Sequence, residues 1–121
     1  MSYLQPVLEL KNYLESNMND PPNIYMGPVD ETVKPPFILL LVPLSHSING
    51  FGGYRLLKEI IDVNVYTNTI EEKDNLVSEI LGLLGSGIWL NGIFFKVRNI
   101  RDFSVYGYHR VVIEVEVVYR F

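Results

Sequence analysis

The sequence predicts an α+β domain with two helices packed on one face of a mostly antiparallel sheet, in the order α-β-β-β-α-β-β-β. Three stretches carry that prediction. Between Lys58 and Thr67, Ile61, Val63 and Val65 fall on one side and Lys58, Asp62 and Asn64 on the other, the two-residue period of a strand with one wet face. Thr69 stands three residues before Glu72, the spacing of a capping box. The helix it opens has Ile70, Val77, Ile80, Leu81 and Leu84 along one stripe and Glu71, Asn75, Ser78 and Glu79 opposite. Between Arg110 and Phe121, Val111, Ile113, Val115, Val117, Tyr119 and Phe121 share one face. Arg110, Glu114, Glu116 and Arg120 share the other with Val112 and Val118. The helix folds back onto the sheet that holds its preceding strand, and Gly85 stands where a left-handed cap would end it.

The remaining elements follow in order. Ser2 with Gln5 gives a first capping box, and Leu4, Val7, Leu8, Tyr13 and Leu14 form its apolar stripe. Pro6 is tolerated in the first turn, where its missing N–H would have no partner anyway. Asn19-Asp20-Pro21-Pro22 ends this helix, and Ile24-Tyr25-Met26 is a short strand. The proline-rich stretch 28–36 reads as an exposed loop. Residues 37–42 are apolar at every position, as suits a central strand covered on both sides or by a neighbouring subunit, and Pro43 ends it or places a bulge there. Residues 45–54 read as a flexible connection. After Gly85-Ser86-Gly87, the Asn91-Gly92 pair inside Ile88–Val97 signals a two-residue hairpin turn, and 102–108 is a turn around Gly107.

At 121 residues the chain is one domain, 1–121, large enough to fold without staples. The absence of cysteine excludes disulfides, thiolate metal sites and catalytic thiols. A net charge of −4 with scattered Lys and Arg leaves no basic footprint for nucleic acid. The longest apolar run is far below the roughly 20 residues of a membrane span, and no signal peptide opens the chain, so a soluble, cytosolically made protein is expected. Eight tyrosines and six phenylalanines exceed what one small core absorbs and point to an interface.

Chemistry finds little support. Adjacent residues point apart, so Ser45-His46-Ser47 lacks a nucleophile geometry, and His109 has one other histidine and no cysteine to share a metal with. Gly50-Phe51-Gly52-Gly53 precedes a strand rather than a helix and lacks the Lys-Ser/Thr of a phosphate loop. Its glycines permit mobility, with Phe51 and Tyr54 as docking aromatics. Glu71, Glu72 and Asp74 sit where the helix dipole favours carboxylates, and alternation alone accounts for Glu114 and Glu116. No enzyme, cofactor or metal is expected. Gly82, on the polar stripe of the helix, costs about 1 kcal/mol relative to alanine, which close approach of another chain would offset.

The strand Ile60-Ile61-Asp62-Val63-Asn64-Val65-Tyr66, the helix through Asp74-Asn75-Leu76-Val77-Ser78-Glu79-Ile80-Leu81-Gly82-Leu83-Leu84, the hairpin and the long last strand together resemble the tail-terminator (tail-completion) proteins of long-tailed bacteriophages. The resemblance covers most of residues 1–121 and rests on element order, length and pattern. It implies a structural virion protein, made in the host cytoplasm. Such proteins form a hexameric ring that caps the tail tube, stops its polymerisation and meets the head-completion (neck) proteins, while DNA passes through without specific binding. The family has no catalytic motif to carry over. The sequence itself suggests Phe51, Tyr54, Arg55, Gly82, Asn91 and Gly92 for subunit interfaces, and Glu114 and Glu116 for an acidic lumen wall along which DNA would slide. Two alternatives stand beside this: another head-tail connector or head-closure component, and a small non-enzymatic protein-binding module.

Overall fold

The computed structural model describes residues 5–42, 47–51, 54–105 and 108–120, with side chains from 5–42, 56–105 and 108–120. In chain order the elements are α1 (Gln5–Asn17), β1 (Asn23–Met26), β2 (Phe37–Leu41), β3 (Ser47–Phe51), β4 (Tyr54–Thr67), α2 (Ile70–Leu84), β5 (Ile88–Leu90), β6 (Ile93–Asp102) and β7 (His109–Arg120). The strands form one sheet in the order β1-β2-β4-β7-β6-β5. Only the β1–β2 pair is parallel. β4 organises the sheet. One edge of it pairs with β7 from Leu56 to Thr67, while the other is shared by β3 over Tyr54–Lys58 and β2 over Asp62–Tyr66.

Both helices lie on one face. Alternation along β4 and β7 turns Leu57, Ile61, Val63, Val65, Val111, Ile113, Val115, Val117 and Tyr119 toward them. These close over Val7, Leu10 and Leu14 of α1 and Ile80 and Leu84 of α2, with Ile24, Ile38, Leu40, Ile93 and Phe95 completing one contiguous core. The α+β class, the single helical face and the mostly antiparallel sheet are as the sequence predicts.

Several details differ. Residues 47–51 form β3 rather than a flexible connection, so four strands precede α2 and β4 begins at Tyr54. Glycine-rich composition masked a strand whose pairing is supplied by its neighbour. The apolar stripe of α2 is rotated: Leu76, Val77, Ile80, Leu83 and Leu84 face the core, whereas Ile70 is 60% exposed. In α1, Leu10 is buried and Leu8 exposed. The Ser2 capping box lies outside the described residues.

The α2 cap forms through Thr69, whose Oγ1 accepts from the Glu72 amide at 3.1 Å, while the Glu72 carboxylate accepts from the Asn68 amide at 3.1 Å rather than from Thr69. Gly85 is right-handed at φ −58, its amide still bonded to the Leu81 carbonyl at 2.8 Å. The chain reverses instead at Gly87, φ +91, where it meets the Phe94 ring. Asn91 and Gly92 both take positive φ, 48 and 80, as the hairpin turn between β5 and β6 requires. β6 runs five residues beyond Val97, to Asp102, past a register shift at Val97/Asn99.

A candidate assembly surface

The face of the sheet away from the helices is built by the other phase of the same alternation. On β4 it presents Leu56, Lys58, Ile60, Asp62, Asn64 and Tyr66; the ladder registers set β7 and β6 side chains beside them. Three zones result along the strands.

At one end Trp89 of β5 pairs with Phe94 of β6, ring centroids 5.0 Å apart, and Phe94 is followed across the sheet by Val118. Trp89 is 69% exposed and Leu56, next to this row, is 42% exposed. A groove of about 430 Å³ separates Trp89 and Asn91 from Tyr13 and Asn12 of α1. The Asn91 side chain spans one end of it, donating to the Glu9 carboxylate at 2.9 Å and so tying the hairpin turn to α1.

The middle zone is charged. Lys58 pairs with Glu116 at 3.0 Å and Arg101 with Glu114 at 3.0 Å, and Lys96 stands opposite Glu116 in the β6–β7 ladder. Asp62 is the ladder partner of Glu114. Burial and then the Glu114 charge raise the Asp62 carboxyl above its ordinary range, with Arg101 and Arg110 pulling the other way. A raised acid binds its proton more readily folded than unfolded. The stability this gives is present below the ordinary carboxylate pKa and is lost as pH rises through the folded value. Asp62→Asn is therefore expected to raise stability at pH 7, and Tm with it, by about a few tenths of a kcal/mol for so solvent-screened a group. The gain should vanish in melts near pH 3.5, and an equal gain at both pH values would contradict this.

At the far end aromatic rings and arginine interleave. Phe37 stacks on Tyr66 at 4.6 Å, and Tyr66 meets Tyr108 edge-on at 6.1 Å. The Arg110 guanidinium lies 5.7 Å from the Tyr66 ring centre and 5.1 Å from that of Phe103. It also donates to the Asn64 side-chain oxygen at 2.9 Å. This packing buries Phe37, Leu39, Asn64 and Val112, so the face is not the uniformly polar surface that alternation suggests. Phe103, Val105 and Tyr108 are exposed at the β6–β7 turn.

The residues singled out in the sequence are scattered over this architecture. Glu114 and Glu116 do point to the helix-free face, but each is held in an ion pair, and among the described residues that face of β4, β6 and β7 sets Lys58, Lys96, Arg101, Arg110 and Arg120 against Asp62, Glu114 and Glu116. An acidic wall is not what it presents. Gly82 lies exposed on α2, and a Cβ built there would meet nothing within 4 Å. Asn91 and Gly92 form an exposed turn beside Trp89. Phe51, Tyr54 and Arg55 lie in the β3–β4 hairpin, their side chains outside the described residues. His46 is likewise outside them. His109 opens β7, half-buried, its Nδ1 without a hydrogen-bond partner among the described residues.

Sequence reasoning missed Glu59. It shares the inward phase of Ile61, Val63 and Val65, is 1% exposed, and accepts from the Tyr119 hydroxyl at 2.6 Å. The signal was present: a glutamate in phase with a buried apolar face and a tyrosine in phase with its partner strand's. It also missed Trp89, the most exposed large hydrophobic residue among the described ones.

Among the described residues no three His, Asp or Glu side chains converge as metal ligands, and no helix is long and apolar enough to cross a membrane. No protein-family model and no characterised protein matches this chain.

Proposed function

We propose that the protein is a non-catalytic structural component of a phage virion, a tail-terminator-like subunit. It would assemble as a homo-oligomeric ring, a hexamer as the resemblance implies, cap the tail tube and meet a neck protein. The reading starts from the resemblance in element order, and one observation supports it most: Trp89 is 69% exposed beside Phe94 on a sheet face that no helix covers. Trp89 and Phe94 form an exposed aromatic pair, and Trp, with Tyr and Arg, is enriched among the residues that anchor interfaces.

The sheet edges support contact through faces instead of added strands. β1 is four residues long with Pro21, Pro22 and Pro28 close by. Beyond Phe95, where β5 stops pairing, β6 carries a bulge and Lys96, Arg98 and Arg101. Charges, prolines and bulges at edges oppose strand addition.

Gly82 provides a separate check. The subunit leaves the space beside it open, so Gly82→Ala should stabilise the folded chain by about 0.5–1 kcal/mol. Gly82→Trp should fold as well yet assemble less if a neighbouring subunit approaches there. Unchanged assembly of the Trp variant, by sedimentation, removes Gly82 from the interface.

The function itself is tested with negative-stain images of the purified chain and with tail tubes assembled in its presence. Rings, and tubes capped at one end, are the expected result. A strictly monomeric chain that also fails to bind tubes would overturn the reading. Binding to portal-side protein in place of tube protein would instead mark a head-closure component.

A further inference from the structure

The two faces of the molecule carry opposite charge. The helices hold six carboxylates, Glu9, Glu15, Glu71, Glu72, Asp74 and Glu79, against Lys11 and Lys73. Among the described residues the helix-free face of β4, β6 and β7 holds five cations against three carboxylates, and at least two of those carboxylates are already ion-paired within the subunit. A protein whose front is cationic and whose back is anionic attracts its own copies front to back, a heterologous contact that generates rings when its rotation closes.

The apolar features sort in the same way. Trp89 and Phe94 form a projecting aromatic ridge at one end of the front. On the back, the exposed stripe of α2 runs Glu71, Asp74, Ser78, Gly82, acidic in its first half and small in its second. The spacings agree. From Phe94 to Arg101 along β6 is about 20 Å at strand rise, and from Gly82 to Glu71 along α2 is about 16 Å at helical rise. A ridge set over Ser78 and Gly82 therefore brings Lys96 and Arg101 within reach of Asp74 and Glu71.

Resting on the ring reading above, we propose that the subunit contact is front to back: the helix-free sheet face of one copy receives the outer stripe of α2 from the next. Trp89 and Phe94 pack where Gly82 leaves room, and Lys96 and Arg101 face Asp74 and Glu71. Glu114 and Glu116 then belong to the subunit contact, where they orient Arg101 and Lys58, and the lumen is lined by other parts of the chain.

The test uses two single variants of the full chain, Asp74→Lys on the back and Lys96→Glu on the front. Both positions are exposed, so both variants should fold, with circular dichroism as the check. Each variant alone opposes like charges and should self-associate at least about tenfold more weakly than wild type in sedimentation. Mixed one to one, the reversed back meets the reversed front, and association should return to within about threefold of wild type. Trp89 fluorescence gives a second readout: its emission should shift to the blue in wild type and in the mixture, and not in either variant alone. Variants that assemble as wild type does, or folded variants that the mixture does not rescue, overturn front-to-back docking while leaving the ring reading in place. Wild type that stays monomeric at hundreds of micromolar overturns both. A Trp89 shift produced only by an added acidic tube or neck protein assigns the face to that partner and overturns self-docking.

Discussion

Trp89→Ala will leave the fold intact and remove most of the self-association. The side chain is 69% exposed and pairs with the Phe94 ring, an aromatic pair worth about 0.5–1.5 kcal/mol to the monomer. At a contact between copies the same ring would be the central anchor, and truncating such anchors costs about 2–4 kcal/mol, a 30-fold to 1000-fold weakening of each contact. Every subunit of a ring makes that contact twice, so the ring should disappear at concentrations where wild type is fully assembled. Sedimentation with circular dichroism on the same samples separates the two outcomes. An unfolded variant would show that Trp89 serves the core instead, and a folded one that assembles normally would remove it from the contact.

Tyr119→Phe will act in the opposite sense, lowering the stability of the subunit itself. The Tyr119 hydroxyl donates at 2.6 Å to Glu59, and both residues lie in the core face at 2% and 1% exposure. Removing the hydroxyl takes one short hydrogen bond from a buried carboxylate, a loss of about 1–3 kcal/mol. Chemical denaturation should show this loss for Tyr119→Phe. The pair also links β4 to β7, the two longest strands, close to the end where β3 attaches. A Tyr119→Phe variant as stable as wild type would contradict the reading.

Much of the fold was legible because its strongest signals are local. The alternation of Ile61, Val63 and Val65, the Thr69 cap, the Asn91-Gly92 turn and the long last strand each follow from the near sequence, and the structure has them all. What was not legible depends on distant partners. β3 exists because β4 extends to Tyr54 and offers it a ladder, which the composition of Ser-Ile-Asn-Gly-Phe does not reveal. Ile70 reads as part of the apolar stripe, but packing against β4, β6 and β7 turns the helix so that Leu76 and Leu83 face the core instead. Gly85 fails as a left-handed cap because the helix continues one more bond through it to Leu81, and Gly87 takes the reversal.

The candidate site was less legible than the fold. Glu114 and Glu116 were placed on the right face by alternation, yet the charge of that face depends on registry. Arg101 reaches Glu114 only because the shift at Val97/Asn99 changes the phase of β6. Alternation alone cannot reveal that a polar face carries more cations than carboxylates, or that Asn64 on it is buried beneath Arg110 and its aromatic neighbours. Trp89, between Ile88 and Leu90, looks like any core strand residue until the strand is seen to be three residues long with one side uncovered.

The chain has a single tryptophan, and it lies on the surface proposed to be covered. Iodide quenching of Trp89, followed across a concentration series with sedimentation on the same samples, therefore tests the account most directly. Quenching should fall and emission shift to the blue in step with the appearance of the assembled species. Assembly that proceeds while Trp89 remains as quenchable as in the monomer would contradict the claim that a second copy covers the helix-free face.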